Sequence, residues 1–288
     1  MNAKIPSKYI EVSAGKMHYK ETGDTAHDTL LFLHGFPEFW YSWRKQIDYF
    51  STKYHVVVPD LRGYNQSLKP KQVKDYKVQS IANDVLELIQ TIGKDKVVII
   101  GHDWGAAIAW HLLLLHKDRF AKGIILNVPH PLVFRKNFFT NLRQIVRSWY
   151  ILFFQIPFLP AWLLSRNNFK NAAKALTDTS LEGSFSEDDL EQYKQAWGNE
   201  HAIRYMIMWY KATLRYPLQA NAYKDKKVNV PLKIIWGKKD KALVATMAKE
   251  SLHYCEQGDL TYIDEATHWV HQDRPDKVNQ LIEAFLIK

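Results

Sequence analysis

Lys96–Gly101 (KVVIIG) runs directly into GHDWGAAIAWHLLLL, and this junction restricts the fold more than any other stretch of the chain. A β-branched strand, one tight turn and an Ala/Leu-rich helix succeed one another with no linker. The turn is G-x-D-x-G, with Gly101, His102, Asp103, Trp104 and Gly105 in those places. So abrupt a strand-to-helix turn needs small residues two places before and after its apex. It holds the apex residue in a strained conformation with its side chain exposed, as a nucleophile requires. The backbone N–H of Trp104, at the helix start, is placed to stabilise an oxyanion. The competing reading is that Asp103 merely caps the helix, a common use of aspartate.

The rest of the chain supplies the surroundings that such a turn demands. Lys16–Thr22, Leu30–His34, Tyr54–Asp60 and Gly123–Val128 read as strands, and Gln79–Ile92 and Gly105–His116 as helices. From about Pro131 to Val230 strands disappear, and aromatic-rich helical segments are broken by Pro157, Pro160 and Gly183. Within that region SFSEDDLEQYKQAW reads as a helix capped by Ser186. Alternation resumes with strands at Leu232–Gly237 and Leu260–Ile263, a helix near Val244–Tyr254 and a final helix from Pro275. Short apolar strands alternating with helices predict an α/β fold, a mostly parallel twisted sheet flanked by helices. The expected organisation is a core of residues 1–130 and 231–288, with residues 131–230 inserted as a helical cap.

Composition narrows the class of function. A 47% hydrophobic content suffices for a large buried core and excludes disorder. The net charge of +9 attracts anions, but the Lys and Arg residues are scattered, so a solvated surface is expected rather than a nucleic-acid face. Cys255 is the lone cysteine, which excludes an intramolecular disulfide and a cysteine metal cluster and fits a reducing compartment. MNAKIPSKYIEV lacks the apolar core of a signal peptide. The most lipid-like stretch, Trp149–Leu164, is interrupted by Gln155, Pro157 and Pro160 and falls short of the roughly twenty apolar residues a span needs. A cytoplasmic protein without an integral membrane segment is expected, with weak membrane-surface contact left open.

Folds that present a nucleophile on such a turn place an acid and then a histidine after later strands. Asp240 follows the strand LKIIWG, and His268 follows the strand LTYI. A carboxylate on one ring nitrogen of His268 leaves the other free to activate water. His34, His102 and His271 compete with it. His102 is expected to point away from the nucleophile, and His271 to face the next helix. Asp264 and Glu265 compete with Asp240, whereas Asn127, at another acid station, cannot act as a carboxylate. HGFP, after Leu30–His34, offers the N–H of Phe36 as a second oxyanion donor beside Trp104.

The blocks HGFPEFWYSWR, DLRGYNQS, GHDWGAAIAW, NVPHP, GKKD and ATHWVHQDRP, in that order, resemble the epoxide-hydrolase branch of the α/β-hydrolase fold superfamily over nearly the whole chain. Within that branch the chain resembles the vertebrate soluble-type and the fourth-type epoxide hydrolases, the latter through YILFFQIP. An aspartate nucleophile separates this branch from serine esterases and lipases. The resemblance implies that Tyr150 and Tyr210, in the insert, protonate the epoxide oxygen, with Tyr205 as the fallback for the second. Packing in a helical core is the competing role for these tyrosines. Two departures are Asn65 and Ala106, where the branch commonly has glycine.

These readings imply a small-molecule epoxide and water as partners, with neither metal nor organic cofactor. Asp103 forms an alkyl ester that water, activated by His268 and Asp240, hydrolyses to a vicinal diol. Phe36, Trp104, Phe154 and Trp269 are expected to line an apolar pocket. A haloalkane or haloacetate dehalogenase of the same fold is the alternative. It is disfavoured because Phe36 cannot bind halide through its side chain and Ala107 stands where an arginine would hold a carboxylate. A non-catalytic binding protein on this fold is a further alternative.

Overall fold

The computed structural model describes residues 5–217 and 220–288. Among them, eight strands form one sheet: β1 (Ser7–Val12), β2 (Gly15–Thr22), β3 (Thr29–Leu33), β4 (His55–Pro59), β5 (Val97–His102), β6 (Phe120–Leu126), β7 (Leu232–Gly237) and β8 (Gly258–Ile263). Their order is β1-β2-β4-β3-β5-β6-β7-β8. Only the β1–β2 and β2–β4 pairings are antiparallel. The fold is that of the α/β hydrolases. β1 was not among the expected strands; only Ile10 and Val12 of its six residues are buried, too few to stand out.

Alternate residues of the parallel strands enter two separate cores. Leu31, Leu33, Ile99 and Ile125 face the helices Val78–Thr91 and Trp104–Leu115, packing with Ile81, Val85, Leu88, Ile108 and Leu112. Leu30, Phe32, Val98, Ile100 and Ile124 face the other way, onto Ile47, Phe50, Val278 and Ile282 of Arg44–Phe50 and Pro275–Leu286. Both faces of the sheet's centre are therefore dry, and β3, β4, β5 and β7 are buried along their whole length.

Chain direction across the sheet reverses at β3. The chain steps from β3 to β4 on one side and then returns to place β5 on the other. The carboxyl ends of β3 and β5 diverge there, which is where open α/β sheets bind ligands. Gly35, Phe36 and Asp103 lie at those two ends.

Between β6 and β7 the described residues form helices: Pro131–Thr140, Leu142–Arg147, Trp149–Phe153, Leu159–Thr177, Glu187–Gly198 and Ala202–Arg215. Ser186 caps the fifth with a complete capping box, its Oγ accepting from Asp189 N. Pro160 opens the helix Leu159–Thr177 rather than breaking one; that helix breaks instead at residues 166–169, where Asn167, Asn168 and Phe169 have positive φ. Indole donors pin this region to loops of the sheet, Trp197 to Pro37 O and Trp209 to Arg62 O. No helix of the described residues is long and apolar enough to cross a membrane.

The turn after β5 has no space for a side chain on either flank. A Cβ on Gly105 would lie 2.2 Å from Leu33 O, and one on Gly101 would lie 2.6 Å from Gly105 O. Both obstacles are backbone and cannot swing aside. Gly105→Ala should therefore lower the unfolding free energy by about 2 kcal/mol or more. Gly198→Ala is the control, because its Cβ meets only the Phe169 ring at 3.5 Å. It should leave stability unchanged or raise it by up to about 1 kcal/mol. Urea unfolding followed by tryptophan fluorescence separates the two, and equal effects would contradict the steric account.

Candidate active site

Asp103 sits at the apex of the turn with φ 48° and ψ −122°. Its side chain makes no capping hydrogen bond to the helix it precedes, which removes the capping role. Instead Oδ1 accepts the Phe36 N–H at 2.7 Å, and Oδ2 lies 3.4 Å from His268 Nε2. The Trp104 N–H opens the helix Trp104–Leu115 and so has no acceptor within it. The loop after β3 thus brings one backbone donor to the Asp103 carboxylate, and the turn after β5 leaves a second N–H, that of Trp104, unused by the helix beside it.

His268, after β8, turns its Nδ1 to Asp240 Oδ2 at 2.7 Å. Asp240 is fixed in turn by the N–H groups of Ala242 and Leu243, at 2.7 and 2.8 Å on Oδ1, and by the Asn127 amide at 2.8 Å on Oδ2. Burial would raise the Asp240 pKa, but the charge and hydrogen bond of His268, helped by Asn127 and Leu243, carry it below the ordinary carboxylate value. Burial would likewise lower that of His268. The charges and hydrogen bonds of Asp240 and Asp103 outweigh burial and raise it well above the imidazole range. Asp264 and Glu265 do not compete for His268; they form surface ion pairs with Lys238 and Arg274.

A cavity of about 800 Å³ opens on Asp103 and is walled mainly by apolar side chains. Trp104, Ala107, Tyr150 and Tyr210 line it together with Val128, Leu132, Phe134, Phe138 and Ile151. The rings of Tyr150 and Tyr210 are 5.8 Å apart. Burial first, then the nearby Asp103 charge, raises the pKa of both phenols well above the ordinary value, so they stay protonated. Tyr205 does not line the cavity; it packs near Tyr76.

The α/β-hydrolase fold family model matches residues 28–275. The chain is 36% identical to epoxide hydrolase 1 of Caenorhabditis elegans over 287 residues, covering 98% of this chain and 70% of the relative. It is 35% identical to the AB hydrolase superfamily protein YfhM of Bacillus subtilis, over 98% of both chains. The crystal structure of Bacillus megaterium epoxide hydrolase in complex with an inhibitor superposes with a TM-score of 0.89 at 30% identity, covering 98% of this chain and all of that one. The chain belongs to the epoxide-hydrolase branch of the α/β-hydrolase fold superfamily.

Three of the aromatic residues expected to line the pocket of this hydrolase lie outside the cavity wall. Phe154 is one turn beyond Tyr150 and packs with Ile151, Ile207 and Tyr210. Phe36 sits edge-on to Phe154 and Tyr210, so its ring supports the wall while its N–H reaches Asp103. Trp269 turns away from the cavity, donating to Thr179 Oγ1 at 2.9 Å and packing against Phe185. Phe134, Phe138 and Leu132, from the helix after β6, take their place.

Sequence reasoning also missed Glu38. It is fully buried, with Oε2 2.8 Å from His102 Nδ1 and Oε1 3.2 Å from His271 Nε2. His102 Nε2 meets the His268 carbonyl at 2.9 Å, so the network ties the β3 loop to the turn and to the histidine loop. His271 therefore faces Glu38 and stacks on Trp43, not on the next helix. Burial opposes ionisation of Glu38, but the facing histidines hold its pKa well below the carboxylate range. The ligand atoms of this trio lie within 4.8 Å of one another and are already engaged in these hydrogen bonds. The fourth residue after His34 in HGFPE was the available signal.

The His268 pKa is raised above its ordinary value of 6.5, so its protonated form stabilises the fold below that pH. The contribution fades as pH rises through the folded-state pKa. Asp240→Asn removes the stronger of the two facing charges and should lower the His268 pKa and shrink this pH dependence. NMR titration of the His268 ring checks it, and an unchanged pKa would contradict the assignment.

Proposed function

We propose that this hydrolase converts lipophilic epoxides to vicinal diols through a covalent ester on Asp103. The observation that carries the reading is the meeting, in one apolar cavity, of a carboxylate and two phenols that keep their protons. A carboxylate oxygen of Asp103 attacks one epoxide carbon, and the C–O bond to the ring oxygen breaks. That oxygen takes a proton from Tyr150 or Tyr210 and becomes the first hydroxyl.

Esterification abolishes the Asp103 charge, leaving only Asp240 to hold the proton on His268. With its pKa lowered, the imidazole releases that proton to solvent and stands neutral, able to accept one, at the step that needs a base. His268 takes a proton from water, and the hydroxide adds to the ester carbonyl. The Phe36 and Trp104 N–H groups hold the oxyanion. Collapse expels the second alkoxide, which takes its proton from His268. Asp103 is left with one oxygen from water, and its acid proton restores the tyrosine. The helices of residues 131–230 act as a cap that supplies both tyrosines and keeps bulk water out of the site.

Dehalogenation is the weaker reading. Ala107 lines the cavity beside Asp103 without a cation, and the Phe36 ring, a hydrocarbon packed on Phe154 and Tyr210, offers a halide no donor. A panel of styrene oxide, a fatty epoxide, haloalkanes and fluoroacetate should give diols with little halide. Halide release faster than diol formation would overturn the proposal. On the same epoxides, Tyr150→Phe and Tyr210→Phe should each slow ring opening about tenfold or more, a loss of about 1.4 kcal/mol. Near-native ring opening in both would return these tyrosines to a packing role.

A further inference from the structure

The helices Leu142–Arg147 and Trp149–Phe153 are apolar on two sides. Their inner side buries Ile151 and sets Tyr150 and Ile151 in the cavity wall. On the outer side Leu142, Val146, Trp149 and Leu152 recur every three or four residues and are 79, 72, 64 and 63% exposed. That spacing puts them on one face. Phe158 and Trp162, where the next helix starts, are also largely exposed. A helix face turned to water is ordinarily polar, and scattered exposed apolar residues are ordinarily single.

The charge around this face has one sign. Residues 131–177 contain seven lysines and arginines and no aspartate or glutamate, which is most of the net charge of +9. Lys136 and Lys174 pair with Glu250 and Asp178 from outside that stretch. Among the described residues, Arg135, Arg143, Arg166 and Lys170 are exposed and have no carboxylate partner. Arg166 lies over the Trp162 ring, 4.4 Å from its centroid.

We propose that this face docks on an anionic lipid bilayer. Tryptophan, phenylalanine and leucine on one helix face, rimmed by unpaired cations, match the boundary between acyl chains and acidic headgroups. A second copy of the chain is a poorer occupant, because a two-fold contact would set the same cations against each other. No helix of the described residues is long and apolar enough to cross the bilayer, and the docking proposed is to its surface. Docking also aims the cavity at the lipid. Phe139 and Arg135 line the cavity and are exposed beside the patch. A lipophilic epoxide dissolved in the membrane then has a short dry path to Asp103. That delivery step rests on the function proposed above; the docking does not.

The test is cosedimentation with vesicles, which needs no turnover. The protein should partition onto phosphatidylcholine vesicles containing about 30% phosphatidylserine, with a blue shift of tryptophan emission. It should bind phosphatidylcholine alone at least about tenfold more weakly and leave the anionic vesicles in about 0.5 M NaCl. V146E combined with L152E should reduce binding about tenfold or more, while thermal midpoint and hydrolysis of water-soluble styrene oxide stay native. R143E combined with R166E should act in the same direction on anionic vesicles. The proposal is overturned if the native protein stays in the supernatant or if both double variants bind as it does. A dimer in sedimentation velocity that V146E with L152E abolishes would also overturn it, making the face a self-interface.

Discussion

At the turn between β5 and its helix, backbone touches backbone so closely that no side chain fits beside Asp103 on either flank. Gly101 lies against Gly105 and Ala106, and Gly105 against the end of β3. This contact sets the distance between the β3 loop and the turn. It is the reason the Phe36 N–H reaches Asp103 at 2.7 Å. The positive φ at Asp103 then lifts the carboxylate off the helix end and into the cavity. Asn65, where the branch commonly has glycine, also has positive φ, which asparagine tolerates. Ala106 is fully buried at the other departure.

The charges are organised around that carboxylate in two layers. Asp240 and Asp103 face His268 from opposite sides, and Asp240 spends its other lone pairs on two backbone N–H groups and the Asn127 amide. Behind them, Glu38 joins His102 and His271, and His102 reaches the His268 carbonyl. A buried ion is costly unless its hydrogen bonds are satisfied. Here each anion is met by donors from at least two loops, so the sheet ends are held together by the same bonds that orient the site.

Much of the core was legible because a sheet buried on both faces demands strands apolar on both sides. β3 to β7 stand out as such runs, and the loss of strands after Pro131 marks the helical segment between β6 and β7. β1 escaped because an edge strand with two buried residues carries little pattern. Within the site, the positions of Asp103, Asp240 and His268 followed from the strands they terminate, which a sequence displays. The cavity wall did not follow, because neighbours in sequence diverge in space. Trp269 and His268 are adjacent yet point to different places, and Phe154 shares a face with Tyr150 but lies one turn further along, where it packs on Ile151, Ile207 and Tyr210. Glu38 is 64 residues from His102 and 233 from His271, so only the folded chain brings the trio together.

The central claim is that Asp103 carries the substrate covalently and His268 acts only afterwards. It is tested most directly by replacing His268 with glutamine and weighing the intact protein after exposure to an epoxide. The account predicts a stable increase of one substrate mass, mapped by peptide analysis to Asp103 and missing from an Asp103→Ala protein. Normal diol turnover by the folded His268→Gln enzyme, or an adduct on any other residue, would contradict it.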